Sequence, residues 1–481
     1  MNYSKVFSVL GMMLVALSAL LVLPIIVAII YRESCLWIFA SVAGVSLAVG
    51  ALLATLFRTK NQVIYAKEGF AITALSWLVL SAAGALPFYL SGEIPSYVDA
   101  LFETVSGFTT TGASVVTEIS AMSRACLFWR SFTHWVGGMG VLVFVMAIIP
   151  NLSDRSIHLM RAEMPGPIVG KLVPKAKDTA KILYLIYIAM TVVQIILLLL
   201  GGMPFFDSVV HTFGTAGTGG FGIKPDSIGG YSPYIQWVIT IFMLLFGINF
   251  NLYYLLLIRR FKSVIKSGEL WCYAGVVLVS IAAITANIYK MCSGFGEALR
   301  LSSFQVASII TTTGYATTDF NLWPGISKAI LFILMFVGGC AGSTAGGLKV
   351  SRIVILGKMI SKEVRHMLRP RSVNTVKFEG KQVDDTTLNN VGTYFALYMV
   401  CYMVIFLAIT AMDSFDFETN FTAVSACFNN VGPGFGAVGP ASNFAGYSSA
   451  SKLILAFAML LGRLEIFPLI ITLSPGTWMK K

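Results

Sequence analysis

Charge is scarce in this sequence. Only 12% of its 481 residues are Asp, Glu, Lys or Arg, about half the share usual in soluble domains. With 57% of the residues hydrophobic, a soluble fold would lack the polar side chains to cover its surface. A soluble enzyme and a disordered chain are therefore excluded. The four histidines, His134, His158, His211 and His366, include no pair at metal-ligand spacing. The seven cysteines (35, 126, 272, 292, 340, 401 and 427) are scattered, odd in number and without a C-x-x-C. They read as small apolar packing residues, neither a disulfide scaffold nor a thiolate metal site. No Gly-x-Gly-x-x-Gly follows a strand and no Walker sequence occurs, so no nucleotide or other organic cofactor is expected. A Gly-x-Ser-x-Gly elbow, a His-Glu-x-x-His and a membrane-embedded carboxylate pair are also missing. The chain is not expected to be an enzyme.

What is there is long, continuous apolar sequence. The runs do not alternate, which excludes an outer-membrane barrel. The first run, 7–30, is too long for a signal-peptide core of about 7–15 residues, and no A-x-A site follows. With the run at 36–57 it predicts two spanning helices, each near the roughly 20 residues a bilayer needs.

After residue 60 the apolar sequence falls into a four-fold rhythm. Each unit has a full span, a half-length amphiphilic segment, a Gly/Thr/Asn-rich stretch and a closing full span. The first runs 68–91, 97–108, 109–117 and 128–150; the second 180–202, 204–216, 217–230 and 233–258. The third runs 269–291, 298–310, 311–321 and 325–348; the fourth 389–411, 416–428, 429–440 and 450–473. A helix of a dozen residues covers about 18 Å, so the short segments must enter the membrane and return on the same side. Irregular backbone at that depth needs protein or water around it. Four such segments imply one aqueous path shared between four units. The expected fold is an all-α polytopic membrane protein with four helix–re-entrant helix–helix repeats in pseudo-four-fold arrangement. Its parts are two N-terminal helices (1–60) and repeats at 61–160, 161–262, 263–388 and 389–481, with the closing span broken in the third.

The net charge of +12 is a topological bias and not a nucleic-acid footprint. If each unit begins and ends on one face, that face holds 25 basic residues and the other 8. The positive-inside rule puts the basic face and both termini in the cytoplasm. The re-entrant segments then enter from outside.

The four polar stretches read Thr109-Thr110-Thr111-Gly112, Gly217-Thr218-Gly219-Gly220, Thr311-Thr312-Thr313-Gly314 and Asn429-Asn430-Val431-Gly432. Each follows a short helix whose C-terminus points into the membrane and carries roughly half a negative charge. Four such ends favour a desolvated cation, and a ring of backbone carbonyls can replace its hydration shell. Glycine permits the dihedrals needed to face those carbonyls inward. The candidate filter residues are Thr110, Thr111, Gly112, Thr218, Gly219, Gly220, Thr312, Thr313, Gly314, Asn430, Val431 and Gly432.

These stretches, with Phe128-Trp129-Arg130-Ser131, Trp135-Val136-Gly137-Gly138-Met139-Gly140, Pro433-Gly434 and Leu461-Gly462-Arg463-Leu464-Glu465-Ile466, resemble the TrkH/KtrB/HKT superfamily of potassium transporters. The match is to the bacterial TrkH type, whose two extra N-terminal helices the KtrB type lacks. The resemblance puts the filter glycines at Gly112, Gly220, Gly314 and Gly432. Glycine at 112, where sodium-favouring members tend to have serine, points to potassium. The second repeat departs, with Gly222-Ile223-Lys224-Pro225 where relatives often have Ser/Thr-His. Homodimerisation and a cytoplasmic nucleotide-binding TrkA-type partner are also implied, docking on the basic loops 151–181 and 349–388.

Two features below the filter are candidate gates. The third closing span contains Gly338-Gly339-Cys340-Ala341-Gly342-Ser343-Thr344-Ala345-Gly346-Gly347, too many small residues for a straight helix. It is either a small-residue packing interface or a broken helix, and it resembles the family's intramembrane gating loop. Its gate residues are Gly338, Gly339, Gly342, Ser343, Thr344, Gly346 and Gly347. Arg463 stands about halfway along the last span, where a charge needs water or a partner. It is either ion-paired to another helix or, as the family implies, a pore-facing barrier. Glu465, about 200° round a helix from it, is a poor partner and is assigned a structural role. Glu103 and Asp207, within re-entrant segments, are expected to buttress the filter. The functional expectation is potassium uptake across the inner membrane through a gated pore. An ion-coupled carrier using broken helices is the alternative.

Overall fold

The computed structural model describes residues 1–58, 66–140, 176–371 and 374–478. Helices dominate. The first two, α1 (Tyr3–Tyr31) and α2 (Leu36–Leu56), form an antiparallel pair. Asn2 caps α1 by accepting from the Lys5 amide, and Arg32, in the left-handed region, ends it. Gly11 and Gly50 let the two backbones touch, since a Cβ on Gly11 would lie 2.6 Å from the Gly50 carbonyl oxygen.

The repeats follow in order. The first has α3 (Ala66–Leu90), the re-entrant α4 (Tyr97–Phe108) and α5 (Arg124–Gly138). The second has α6 (Ala176–Leu200), the re-entrant α7 (Phe205–Gly217), α8 (Pro233–Phe246) and α9 (Phe250–Leu257). The third has α10 (Gly268–Ile288), the re-entrant α11 (Phe295–Ile310), α12 (Gly325–Val337) and α13 (Val350–Leu368). The fourth has α14 (Asp385–Met412), the re-entrant α15 (Phe417–Phe428), α16 (Ser449–Arg463) and α17 (Phe467–Leu473). Six of these helices, α1, α2, α3, α6, α10 and α14, are long and apolar enough to span unbroken. A two-stranded hairpin, Lys377–Phe378 with Lys381–Gln382, packs Val376, Phe378 and Val383 against Ile355 and Leu388.

The closing spans differ from expectation. The sequence reads three of the four as unbroken; the helices α5, α8, α12 and α16 all stop after 13–15 residues. That is about 20–22 Å of helix, short of the roughly 30 Å hydrocarbon core. In the second repeat the chain turns by 91° between α8 and α9, and Asn249 caps the new helix. In the fourth it turns by 119° at Glu465 and Ile466, both at positive φ. Arg463 is thus the last residue of a helix, not the middle of one. In the first repeat, α5 ends at Gly138, and the part of the expected span from 141 lies outside the described residues. So do His158 and most of the expected docking loop 151–181. Hydropathy averages over a window, so a reversal of one or two residues inside an apolar run does not register.

Serine recurs where the closing helices start. Ser123, Ser232 and Ser448 cap α5, α8 and α16, each accepting the amide three residues on. Three of the four repeats thus share a start signal; in the third, Pro324 stands at that position without a side-chain cap.

Candidate ion-conduction site

Each re-entrant helix ends in the same turn. The amides of Thr111, Gly219, Thr313 and Val431 donate back to the carbonyls of Ser106, Gly214, Ser308 and Ala426 at 2.8–2.9 Å. The residue before each of these, Thr110, Thr218, Thr312 or Asn430, sits in the left-handed region at φ of 54–56°. Such φ is uncommon for non-glycine residues and an outlier for β-branched threonine; it costs about 1–2 kcal/mol. The back-bonded turn offsets that cost by satisfying helix-end carbonyls. Gly112, Gly220, Gly314 and Gly432 follow two residues on, at φ of 81, 74, 84 and 102°.

The four turns close into a ring. A Cβ on Gly112 would meet the Gly219 carbonyl oxygen, and one on Gly220 that of Thr313. One on Gly314 would meet Val431, and one on Gly432 would lie 2.8 Å from the Thr111 carbonyl oxygen. Each approach is below 3.0 Å, tighter than real Cβ atoms come. Repeats one, two, three and four thus meet in cyclic order, with the carbonyl before each glycine beside the glycine of the preceding repeat. All twelve residues singled out in the sequence lie in this ring or in the turns that form it.

Side chains brace the ring from behind. Asn430 donates to the Thr111 hydroxyl at 2.9 Å, joining the fourth repeat to the first. Thr109 pairs with Thr111 at 2.7 Å and Thr311 with Thr313 at 2.8 Å. These hydroxyls are therefore already engaged. The Thr110 hydroxyl and the Asn430 side-chain oxygen are buried with no hydrogen-bond partner among the described residues. Glu103 accepts from Ser114 at 3.0 Å and from the Val115 amide at 2.9 Å, and Arg130 binds it at 2.5 Å. Arg130 also donates to the Gly222 carbonyl at 2.9 Å and covers the Phe221 ring. Asp207 accepts from Tyr231 at 2.9 Å. His134, which the sequence gave no role, packs its ring against Gly219 and bonds the Gly107 carbonyl at 2.8 Å. Above the ring, a cavity of about 170 Å³ is lined by the four glycines, Arg130 and Lys224.

The small-residue segment between α12 and α13 is a loop under the ring. Gly338, Gly342 and Gly347 take φ of 70–75°, and Lys349 takes 76°. The Gly346 amide donates to the Thr312 hydroxyl at 2.6 Å, directly below the turn of the third repeat. Cys340 donates to Gly247 at 2.9 Å and Thr344 to Phe246 at 3.2 Å, both at the break in the second repeat. The Gly342 carbonyl accepts from Phe250 at 3.1 Å, and Glu269 of α10 accepts the Ala341 amide at 2.7 Å. Gly339 packs against Ala345 and Ser343, whose hydroxyl donates to Cys340 at 2.7 Å.

Arg463 stands among backbone carbonyls at the end of α16. Its guanidinium donates to the Thr344 carbonyl at 2.8 Å and to the Gly137 and Gly138 carbonyls at 2.6 Å. The Gly138 carbonyl at the end of α5 thus finds a donor, and Gly137, which also accepts the Gly140 amide at 3.0 Å, gains a second. The arginine ties the end of the first repeat's closing helix to the loop of the third. Glu465 pairs instead with Arg352 of α13 at 2.5 Å, and Arg352 lies 4.1 Å over the Tyr394 ring. The sequence counts Lys349 and Arg352 as solvated loop cations, but they are 1% and 5% exposed. Lys349 donates to the Ala345 carbonyl inside the loop.

Four re-entrant repeats around one ring of backbone carbonyls define a pore-loop membrane protein. The chain belongs to the TrkH family of cation transport proteins, whose model matches residues 38–272 and 273–478. It is 38% identical over 485 residues to the Trk system potassium uptake protein TrkH of Salmonella typhimurium, covering 99% of this chain and all of that one. It is 36% identical over 466 residues to TrkG of Escherichia coli K12, another Trk system potassium uptake protein, covering 95% of this chain and 94% of that one. The crystal structure of the potassium transporter TrkH from Vibrio parahaemolyticus superposes with a TM-score of 0.89, at 32% identity and full coverage of both chains.

Proposed function

We propose that this chain takes up potassium across the cytoplasmic membrane, through a central pore shared by the units 61–160, 161–262, 263–388 and 389–481. The ring of carbonyls at Thr111, Gly219, Thr313 and Val431 carries this reading. A carbonyl ring selects for a weakly hydrated cation by standing in for its water. Thr110, Gly112, Thr218, Gly220, Thr312, Gly314, Asn430 and Gly432 set its shape. Glu103, within the first re-entrant helix, is occupied by Arg130, Ser114 and Val115. That favours a pore over a carrier coupled to protons through an embedded acid.

The gate is the loop at 338–347 with Arg463. In the arrangement described, the loop stands under the ring, and release of the Thr344–Arg463 and Gly346–Thr312 contacts opens the path. Both termini lie in the cytoplasm, the chain pairs as a homodimer, and a TrkA-type nucleotide-binding subunit docks on the basic cytoplasmic surface. Potassium and sodium flux into vesicles holding the purified chain, with and without that subunit, tests the proposal. Preferential potassium entry supports it; equal sodium entry, or flux fixed in ratio to protons, overturns it.

A further inference from the structure

We propose that Lys224 is a tethered ammonium that competes with the incoming cation at the outer mouth, and that Tyr231 holds it in a withdrawn position. The inference rests on the uptake reading above. The cavity over the ring contains two cations, Arg130 and Lys224, held very differently. Arg130 is buried, paired with Glu103 and bonded to the Gly222 carbonyl. Lys224 is half-buried and makes no ion pair among the described residues. Its ammonium rests 3.9 Å from the centre of the Tyr231 ring.

The backbone on either side is fixed, so the side chain is the part free to move. The Lys224 carbonyl accepts from the Ser227 amide at 3.1 Å, and Gly222 is bonded to Arg130. Tyr231 is itself held, with its hydroxyl on Asp207 at 2.9 Å and its ring edge-on to His211. Lys224 lies four residues beyond Gly220, so its Cα is at most about 14 Å from the Cα of that ring glycine. Its flexible stem carries the ammonium roughly 6 Å from that Cα. Swung inward, a three-donor ammonium meets the same carbonyl-lined mouth that takes a potassium ion. A cation–π contact at an exposed site shifts a side-chain population about two- to fivefold. Tyr231 therefore biases Lys224 outward without immobilising it. A unit charge about 10 Å away, at a dielectric between about 40 and 80, changes cation occupancy about two- to fourfold.

The test is potassium uptake by vesicles holding the full chain, followed as a function of external potassium. Lys224→Gln lowers the half-saturating concentration about two- to fourfold, and Lys224→Arg stays near the wild type. Tyr231→Leu raises it about two- to fivefold, because the ammonium loses its resting place. In the double variant there is no lysine for the loss of the tyrosine to release, so the curve follows Lys224→Gln alone. That last readout separates positioning from damage, since a structural defect at Tyr231 persists without the lysine. Half-saturation unchanged by Lys224→Gln in a conducting protein overturns the proposal, as does a Tyr231→Leu effect that survives in the double variant. A wild-type chain that takes up no potassium overturns instead the uptake reading beneath it.

Discussion

Replacing Arg463 with alanine removes a side chain that joins the loop to the end of α5. Three donations are lost, one to Thr344 in the loop and two to Gly137 and Gly138. Only the first bears on the loop's position. A hydrogen bond from a charged donor contributes about 1.5–3 kcal/mol. With 1.4 kcal/mol per tenfold, the open-to-closed ratio rises by about 10- to 100-fold, provided the loop limits conduction. The loop keeps its bonds to Thr312, Gly247 and Glu269, so the change does not release it fully. The Gly138 carbonyl loses this donor, while Gly137 keeps the Gly140 amide at 3.0 Å; the loss lowers stability by about 1–3 kcal/mol. Arg463→Lys distinguishes a latch from a simple charge barrier. It keeps the charge but not the planar fork that reaches both sides at once. A latch makes lysine resemble alanine; a barrier makes it resemble arginine. The assay is potassium flux per folded protein in vesicles, with thermal unfolding measured on the same preparations. Unchanged or lower flux in folded Arg463→Ala would refute the reasoning.

Gly112→Ser is expected to lower the preference for potassium over sodium, because a Cβ there displaces the Gly219 carbonyl at a φ of 81°; bi-ionic potentials measure this. Gly346→Leu should reduce flux, since its Cβ would come within 3.1 Å of the Asn430 Cβ below the ring, whereas deleting 339–345 should raise basal flux; uptake by matched amounts of folded protein reads both. Glu103→Ala leaves Arg130 buried without its carboxylate, and is expected to destabilise the protein by about 3–5 kcal/mol, visible as a lower unfolding temperature.

The site was largely legible in the sequence, because a half-length apolar segment followed by Thr-Thr-Thr-Gly or its analogue is a local pattern. Four copies of that pattern place the glycines without tertiary information. The ten small residues from 338 to 347 likewise mark the loop, since no helix packs well through them. The breaks in the second and fourth closing spans were not legible, although Gly247, Asn249 and the Arg463–Glu465 pair stand at them. Each break is satisfied by contacts distant in sequence, such as Gly247 with Cys340 and Arg463 with Gly137. Arg463 finds partners 119 and 326 residues away, so a local reading offers only a charge in an apolar run. The partner of Glu465 was hidden for the same reason. The left-handed threonines were also hidden, because propensity argues against that conformation and the back-bonded turn that offsets its cost shows only in the folded chain.

The central claim is that four carbonyls from four repeats form one potassium-selective ring. The reversal potential of the reconstituted wild-type chain, with potassium on one side and sodium on the other at equal concentration, tests it most directly. A ring of this kind predicts a potential displaced strongly toward the potassium equilibrium value. A potential near zero, with both ions carrying current equally, would contradict the account.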